Sequence, residues 1–308
     1  MSSSTSNSRL YFTTFAVALL AGLIVSVVLT EIMLRRQVLP FDSLVGYKKL
    51  FLNGVAPAVA FGDSHVASGL VSSADIDNLG QPSDNVQTTS AKAELRVKRG
   101  GVRMVIFQAD PQMFSAYREK AKQQDRLAYL MQENESMLVM LLPQYRQYLM
   151  EYWRAAVSDP IGAFGSPQQR LPEPEGSSNA KPLEEELRKQ AVIRVQLHAP
   201  LSNLRRLSAA SHYHDAIERF VRQGLQVCLV GFPVTSQYRE AAVSVASFIE
   251  ARSFFAETAH DLGVPYFNYY DAMPDSDFGD SDHLSTNAAA HFTRQVLRDC
   301  VSGKFQSR

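Results

Sequence analysis

Two short stretches of this 308-residue chain combine residue types that together can activate a hydroxyl for nucleophilic attack. Phe61-Gly62-Asp63-Ser64-His65 follows an apolar run, Ala58-Val59-Ala60-Phe61, and Asp280-Ser281-Asp282-His283-Leu284 falls in a Gly/Asp-rich loop near the C-terminus. A serine hydroxyl is a poor nucleophile at neutral pH and needs a neutral imidazole to take its proton. That imidazole needs a carboxylate on its other nitrogen, which fixes the tautomer and steadies the imidazolium. Ser64 is the candidate nucleophile, His283 the base, and Asp280 the orienting carboxylate, because a carboxylate three residues before the ring can reach it across one turn. Asp282 cannot fold onto its neighbour's ring as easily and reads as a helix-capping residue. Turn chemistry alone would explain Gly62-Asp63-Ser64, so the pairing of the two stretches carries the reading.

The elements around these residues place them. A serine on a glycine turn at the carboxyl end of a buried strand sits where α/β sheets open their binding crevice. Further strands are expected at 58–61, 102–109, 226–230 and 265–268. Helices are expected at 90–98, 204–223, 238–262 and 287–301, the first three stopping at Gly100-Gly101, Gly224 and Gly263. Short apolar strands alternating with helices imply a parallel sheet covered on both faces, a three-layer α/β/α domain. We assign that domain to 55–303, after a connector at 34–54 and before a tail at 304–308.

Two stretches interrupt the rhythm. Residues 115–157 read as a helical insertion with an apolar patch at 137–142, followed by Tyr145, Tyr148, Leu149, Tyr152 and Trp153; it either packs on the core or forms a lid or partner-binding surface. Residues 158–182 carry five prolines and three glycines and read as a flexible loop.

At the N-terminus, a tail at 1–9 precedes 21 uncharged residues, 10–30. A helix of that length spans roughly 30 Å, the thickness of a bilayer's hydrocarbon core. The run ends in Glu31-Ile32-Met33-Leu34-Arg35-Arg36 rather than a small-residue cleavage site, so 10–33 reads as an uncleaved single-pass anchor rather than a signal peptide. Arg9 lies on one side and Arg35, Arg36, Lys48 and Lys49 on the other, a count that by itself favours a cytoplasmic C-terminal domain.

Composition excludes little else. With 31 basic and 31 acidic residues there is no basic surplus for nucleic acid. No metal or cofactor site is expected. Cys228 and Cys300 form no metal or redox motif; buried free thiols are the plainer reading, with a disulfide open if the domain lies outside the cytoplasm. His212 and His214 point to different helix faces. His198, His260 and His291 lie in helix-like contexts without evident acidic partners, and His65 is expected to be exposed beside the nucleophile.

Taken together, Gly62-Asp63-Ser64-His65, Asn78-Leu79-Gly80 and Asp280-x-x-His283-Leu284 resemble the SGNH (GDSL-type) hydrolase superfamily. Val66 stands where the Gly-x-Ser-x-Gly elbow of α/β-hydrolases would need its second glycine. The resemblance implies a flavodoxin-like fold, the triad Ser64, His283 and Asp280, and backbone N–H groups of Ser64 and Gly80 as oxyanion donors. One block departs: the family's Gly-x-Asn-Asp loop is replaced by Phe107-Gln108-Ala109-Asp110-Pro111-Gln112-Met113-Phe114. Gln108 or Gln112 is then the candidate donor, while an ionised Asp110 would repel an oxyanion. The anchor, Pro111-Gln112-Met113-Phe114 and Phe232-Pro233-Val234-Thr235 look like the branch that modifies bacterial cell-envelope polymers. That likeness implies a domain outside the inner membrane, beside a multi-spanning acyltransferase partner, and an esterase or O-acyltransferase acting on acyl groups of a glycan. The alternative is a non-catalytic envelope scaffold of the same fold.

Overall fold

The computed structural model describes residues 5–38, 43–119, 130 and 184–302. The chain divides into two compact units, one comprising 1–46 with 132–172 and the other 47–131 with 173–308.

In the first unit, helix α1 (Thr5–Met33) is 29 residues long, about 43 Å at 1.5 Å per residue. Among the described residues it is the one helix long and apolar enough to cross a membrane. It runs into a single π-helical turn, Leu34–Val38, where the Arg35 Nε meets Glu31 Oε1 at 2.7 Å.

The second unit is built on five parallel strands: β1 (Ala58–Phe61), β2 (Ile76–Asn78), β3 (Met104–Gln108), β4 (Gln226–Gly231) and β5 (Tyr266–Asn268). Their order is β2-β1-β3-β4-β5, with Ala58 opposite Met104 and Met104 opposite Gln226. Strands buried on both faces need apolar residues at every position, and β1 and β3 are buried throughout. Val59, Phe61, Val105, Phe107, Val227 and Leu229 face one core; Ala58, Ala60, Met104, Ile106, Cys228 and Val230 face the other.

Helices cover both sides. Ala93 of α4 (Val86–Lys98) and Phe220 of α7 (Ser208–Arg222) fill the first core, as does Phe255 of α9 (Ala246–Leu262). Val66 of α3 (Ser64–Gly69) and Phe292 and Val296 of α10 (Thr286–Ser302) fill the second. Burying each of the larger side chains among these contributes about 1.5–3 kcal/mol. The expected three-layer α/β/α arrangement is what these two cores produce. Helix α2 (Ser43–Asn53) precedes β1, α5 (Ala116–Glu119) follows β3, and α6 (Glu184–His198) packs on α8 (Ser236–Ala242) through Ala191, Val195, Tyr238 and Ala242.

Several expectations are corrected. The single helix at 238–262 is two, because Val243-Ser244-Val245 carries two β-branched residues and Val245 adopts φ −98°, ψ 98°, outside the helical region. The helix at 204–223 begins as a 3₁₀ turn, Leu204–Arg206, before α7. Strand β2 is not legible in the sequence: it has three residues, two of them Asp77 and Asn78, and lies at the sheet edge. Cys228 and Cys300 are not free thiols but a disulfide tying β4 to α10, their Cα atoms 5.8 Å apart. Of the expected insertion and loop at 115–182, residues 120–129 and 131–183, with the 137–153 aromatic patch, lie outside the described residues.

Candidate active site

In the order 2-1-3-4-5 the chain reverses direction across the sheet between β1 and β3, and ligands bind at the carboxyl ends of the strands beside that switch. The segment after β1 carries Gly62 to His65, and the segment after β3 carries Gln108 to Phe114. Ser64 is the first residue of α3, half-buried, with Asp63 as its N-cap. The helix starts there because Asp63 Oδ1 accepts the His65 N–H at 2.8 Å. Gly62 is required, since a Cβ would collide with Gln108 Oε1 and Val66 Cγ2.

The loop between β5 and α10 holds the second group. Asp280 Oδ2 accepts from His283 Nδ1 at 2.8 Å, and Oδ1 of the same carboxylate accepts the N–H groups of His283 at 2.7 Å and Asp282 at 3.0 Å. The His283 ring is buried, and its Nε2 has no hydrogen-bond partner. Burial would lower the His283 pKa, but the Asp282 charge and the Asp280 hydrogen bond raise it above the ordinary value, with His65 opposing. Burial would raise Asp280; its hydrogen bond from His283 lowers it. Ser64 and His283 do not hydrogen-bond, since Nε2 is unpartnered.

Between these groups lies a buried ionic network that the sequence did not reveal. His65, expected at the surface, is 2% exposed. Its Nδ1 is 3.2 Å from Asp110 Oδ2, outside hydrogen-bonding angles, and its Nε2 is 3.3 Å from Asp282 Oδ2. Burial opposes a charge there, but Asp110 and Asp282 raise His65 to about 10, which favours the imidazolium at neutral pH. Asp282 is not a helix cap. Its Oδ1 accepts from Ser281 Oγ at 2.9 Å and faces Arg194 Nε at 3.6 Å, while His198 Nδ1 lies 3.9 Å from Oδ2. Burial would raise Asp282, but His283 and His65 hold it well below the usual carboxylate range. His198 therefore has an acidic neighbour after all, and shares 3.0 Å with the Tyr238 hydroxyl; burial pushes it down to about 3.

Asp63 anchors the other side. Arg118 Nη2 donates to its Oδ2 at 2.5 Å. Burial would raise Asp63, but Arg118 and His65 hold it at about 2.

The candidate oxyanion donors fare differently. The Gln108 side chain is wholly engaged: Oε1 accepts the Asp63 N–H at 2.6 Å, and Nε2 donates to Asp63 Oδ1 at 2.8 Å and Asp110 Oδ2 at 2.7 Å. It positions the turn at Asp63 and Ser64 and has no donor left for substrate, which corrects the expected donor role. Gln112 is buried with Nε2 3.5 Å from Asp110 Oδ2. Asp110 turns inward, accepting the Phe232 N–H at 2.7 Å, so its charge faces His65. The Gly80 N–H donates to Asn78 Oδ1 at 3.0 Å, and Asn78 Nδ2 donates to the carbonyls of Val66, Ala67 and Leu70. Asn78-Leu79-Gly80 thus clamps α3, and the Gly80 N–H is not free for an oxyanion.

His65, His198 and Asp282 bring donor atoms within 4.8 Å of one another, a spacing a metal ion could use. Arg194 beside Asp282 and the second carboxylate beside His65 already supply opposite charges there, so we read the cluster as a proton-linked charge network.

No protein-family model matches the chain, and no curated protein matches it. Among solved structures, it is similar to a Bacteroides fragilis protein described as an acylhydrolase (TM-score 0.44, 8% identity, 85% of this chain and 97% of that one). It is also similar to the lipase/acylhydrolase of Enterococcus faecalis (TM-score 0.39, 11% identity, 82% and 100%). A Desulfitobacterium hafniense lipolytic protein of the G-D-S-L family gives a TM-score of 0.37 at 11% identity, over 78% and 97%. At these values the likenesses carry no weight in the functional reading, which rests on the site itself.

Proposed function

We propose that this protein is a membrane-anchored serine esterase or O-acyltransferase working through an acyl-Ser64 intermediate. One observation carries the reading: His283 is tied through Nδ1 to Asp280 and keeps Nε2 unpartnered, in the domain where Ser64 opens a helix at the switch point. Nε2 takes the Ser64 proton as Oγ bonds to the acyl carbonyl carbon. Collapse breaks the ester C–O bond, and the proton passes to the leaving alkoxide. Water or a second alcohol then attacks the acyl-enzyme, gives its proton to His283 and frees Ser64. The Ser64 N–H is the remaining backbone donor for the oxyanion; one such donor is worth on the order of 10²–10³ in rate. Ser64 Oγ must turn to Nε2, and catalytic hydrogen bonds of this kind often close only with substrate bound.

On this reading the acyl group is an acetyl or similar group on an extracytoplasmic glycan or envelope polymer, handled with a multi-spanning acyltransferase. The Cys228–Cys300 disulfide supports an oxidising compartment, against the count of flanking lysines and arginines. A second reading, a non-catalytic scaffold, is favoured by one observation: the Gln108 amide that would replace the oxyanion asparagine is fully engaged.

Full-length protein in detergent, treated with a fluorophosphonate probe and assayed with p-nitrophenyl acetate, separates the two. Labelling lost in Ser64→Ala and kept in the exposed-site variant Ser211→Ala supports the acyl-enzyme. Equal labelling and turnover in Ser64→Ala ends it. For orientation, a C-terminal alkaline phosphatase fusion is expected to be active; a domain protected from protease added to spheroplasts would place it in the cytoplasm.

A further inference from the structure

The network under the site contains a charge that the acyl-transfer steps do not use. The His65 ring is held between Asp110 and Asp282, and packs edge-to-face on His283 with ring centroids 5.4 Å apart. His283 faces Asp280 and Asp282 from its own loop and His65 from α3. Behind Asp282 stand Arg194 and His198 of α6, and behind His65 stand Asp110 and, through Asp63, Arg118.

With only its own loop, His283 would sit against two carboxylates. Two anions beside one imidazole stabilise its protonated form, and a base that stays protonated cannot take the serine proton. Asp280 must stay, because it orients the ring. The Asp282 charge is therefore the one that has to be offset. Arg194 at 3.6 Å and His65 at 3.3 Å both face it, and His65 is the one that also packs on the His283 ring. A ring wedged between two carboxylates keeps its proton, so the offset is permanent at neutral pH.

We propose that His65 is a positioning residue that sets the basicity of His283 by screening it from Asp282. This rests on the assignment of His283 as the base. It explains why a histidine next to the nucleophile points inward, away from solvent.

The test uses the full-length protein in detergent, labelled with ¹⁵N-histidine, with the seven imidazoles assigned from single His→Gln variants. Ring ¹⁵N shifts read each titration directly, without turnover. In the unaltered protein, His65 is expected to stay doubly protonated from pH 5 to pH 8. In His65→Gln, the His283 midpoint is expected to move up by about two pH units, the order set by a unit charge at this distance in an effective dielectric near 20. In Asp282→Asn it is expected to move down, and in the double variant to return towards the original value. General loosening of the site would not give shifts of opposite sign. The proposal is overturned by a neutral His65 at pH 7 in the unaltered protein, which needs no variant to fold. It is equally overturned if His65→Gln leaves the His283 midpoint in place, or if both single variants move it the same way. A failure of the acyl-enzyme reading is distinguishable: no fluorophosphonate labelling of Ser64 at any pH, with the shifts still as expected.

Discussion

Asp280 holds His283 twice, through the ring at 2.8 Å from Nδ1 and through the backbone at 2.7 Å from the amide nitrogen. One carboxylate thus holds both the ring and its backbone, leaving Nε2 unpartnered, as the proposed mechanism needs of a proton acceptor. Asp280→Asn keeps the shape but can present an amide to Nδ1 and allow the wrong tautomer. We expect Ser64 labelling and ester turnover to fall by about 10²–10⁴, with the unfolding midpoint little changed. Unaltered labelling rates would remove Asp280 from the mechanism.

The pH profile follows from His283. On the proposed mechanism the base must be neutral, and the His283 pKa is raised above the ordinary histidine value. Activity is therefore lost as pH falls through a midpoint above that of free imidazole, and recovers at higher pH. Initial rates of fluorophosphonate labelling between pH 5 and pH 9 check this; a midpoint below the ordinary histidine value of about 6.5 would contradict it.

Two buried histidines of opposite sign, His65 and His198, pull the stability optimum from either side. His65 is raised to about 10, so its contribution is complete below the unfolded value of 6.5 and drains away as pH rises towards 10. His198 is depressed to about 3, so the unfolded chain binds the extra proton between 3 and 6.5 and stability falls as pH drops through that range. Each proton sets a slope of up to about 1.4 kcal/mol per pH unit. Urea unfolding across pH 4–9 is expected to peak near pH 6–7. Replacing His198 with Gln is expected to flatten the acid side only.

Gly80 is a packing requirement. A Cβ there would stand 2.5 Å from the Ala67 nitrogen and 2.6 Å from Val66 Cβ, inside the helix that Ser64 opens. Gly80→Ala is expected to cost about 1–3 kcal/mol in urea unfolding and to lower Ser64 labelling by shifting α3. A neutral substitution would mean that α3 moves freely.

The Cys228–Cys300 bond closes a sequence separation of 72 residues between β4 and α10. Loop-closure entropy for a loop of that length puts its contribution at about 4 kcal/mol. The Cys228→Ser, Cys300→Ser double variant is expected to unfold at lower urea, and non-reducing peptide mapping of the native protein to recover the linked pair.

Much of the scaffold was readable from residue order, because local chemistry decides it. The apolar run 58–61 ending at Gly62 is strand β1 to the residue, and Gly224 and Gly263 stop their helices with positive φ as expected. Asp280 and His283 are three residues apart, so their pairing is a matter of one turn. What depends on distance in space was not readable. Burial of His65, capture of Asp282 by α6 and α3, and consumption of the Gln108 amide by Asp63 all come from partners 45 to 217 positions away. Pairing of the cysteines likewise needed β4 and α10 to meet. A residue's charge and donor capacity are set by which neighbours the fold brings and how much water it removes, and neither is written in the adjacent sequence.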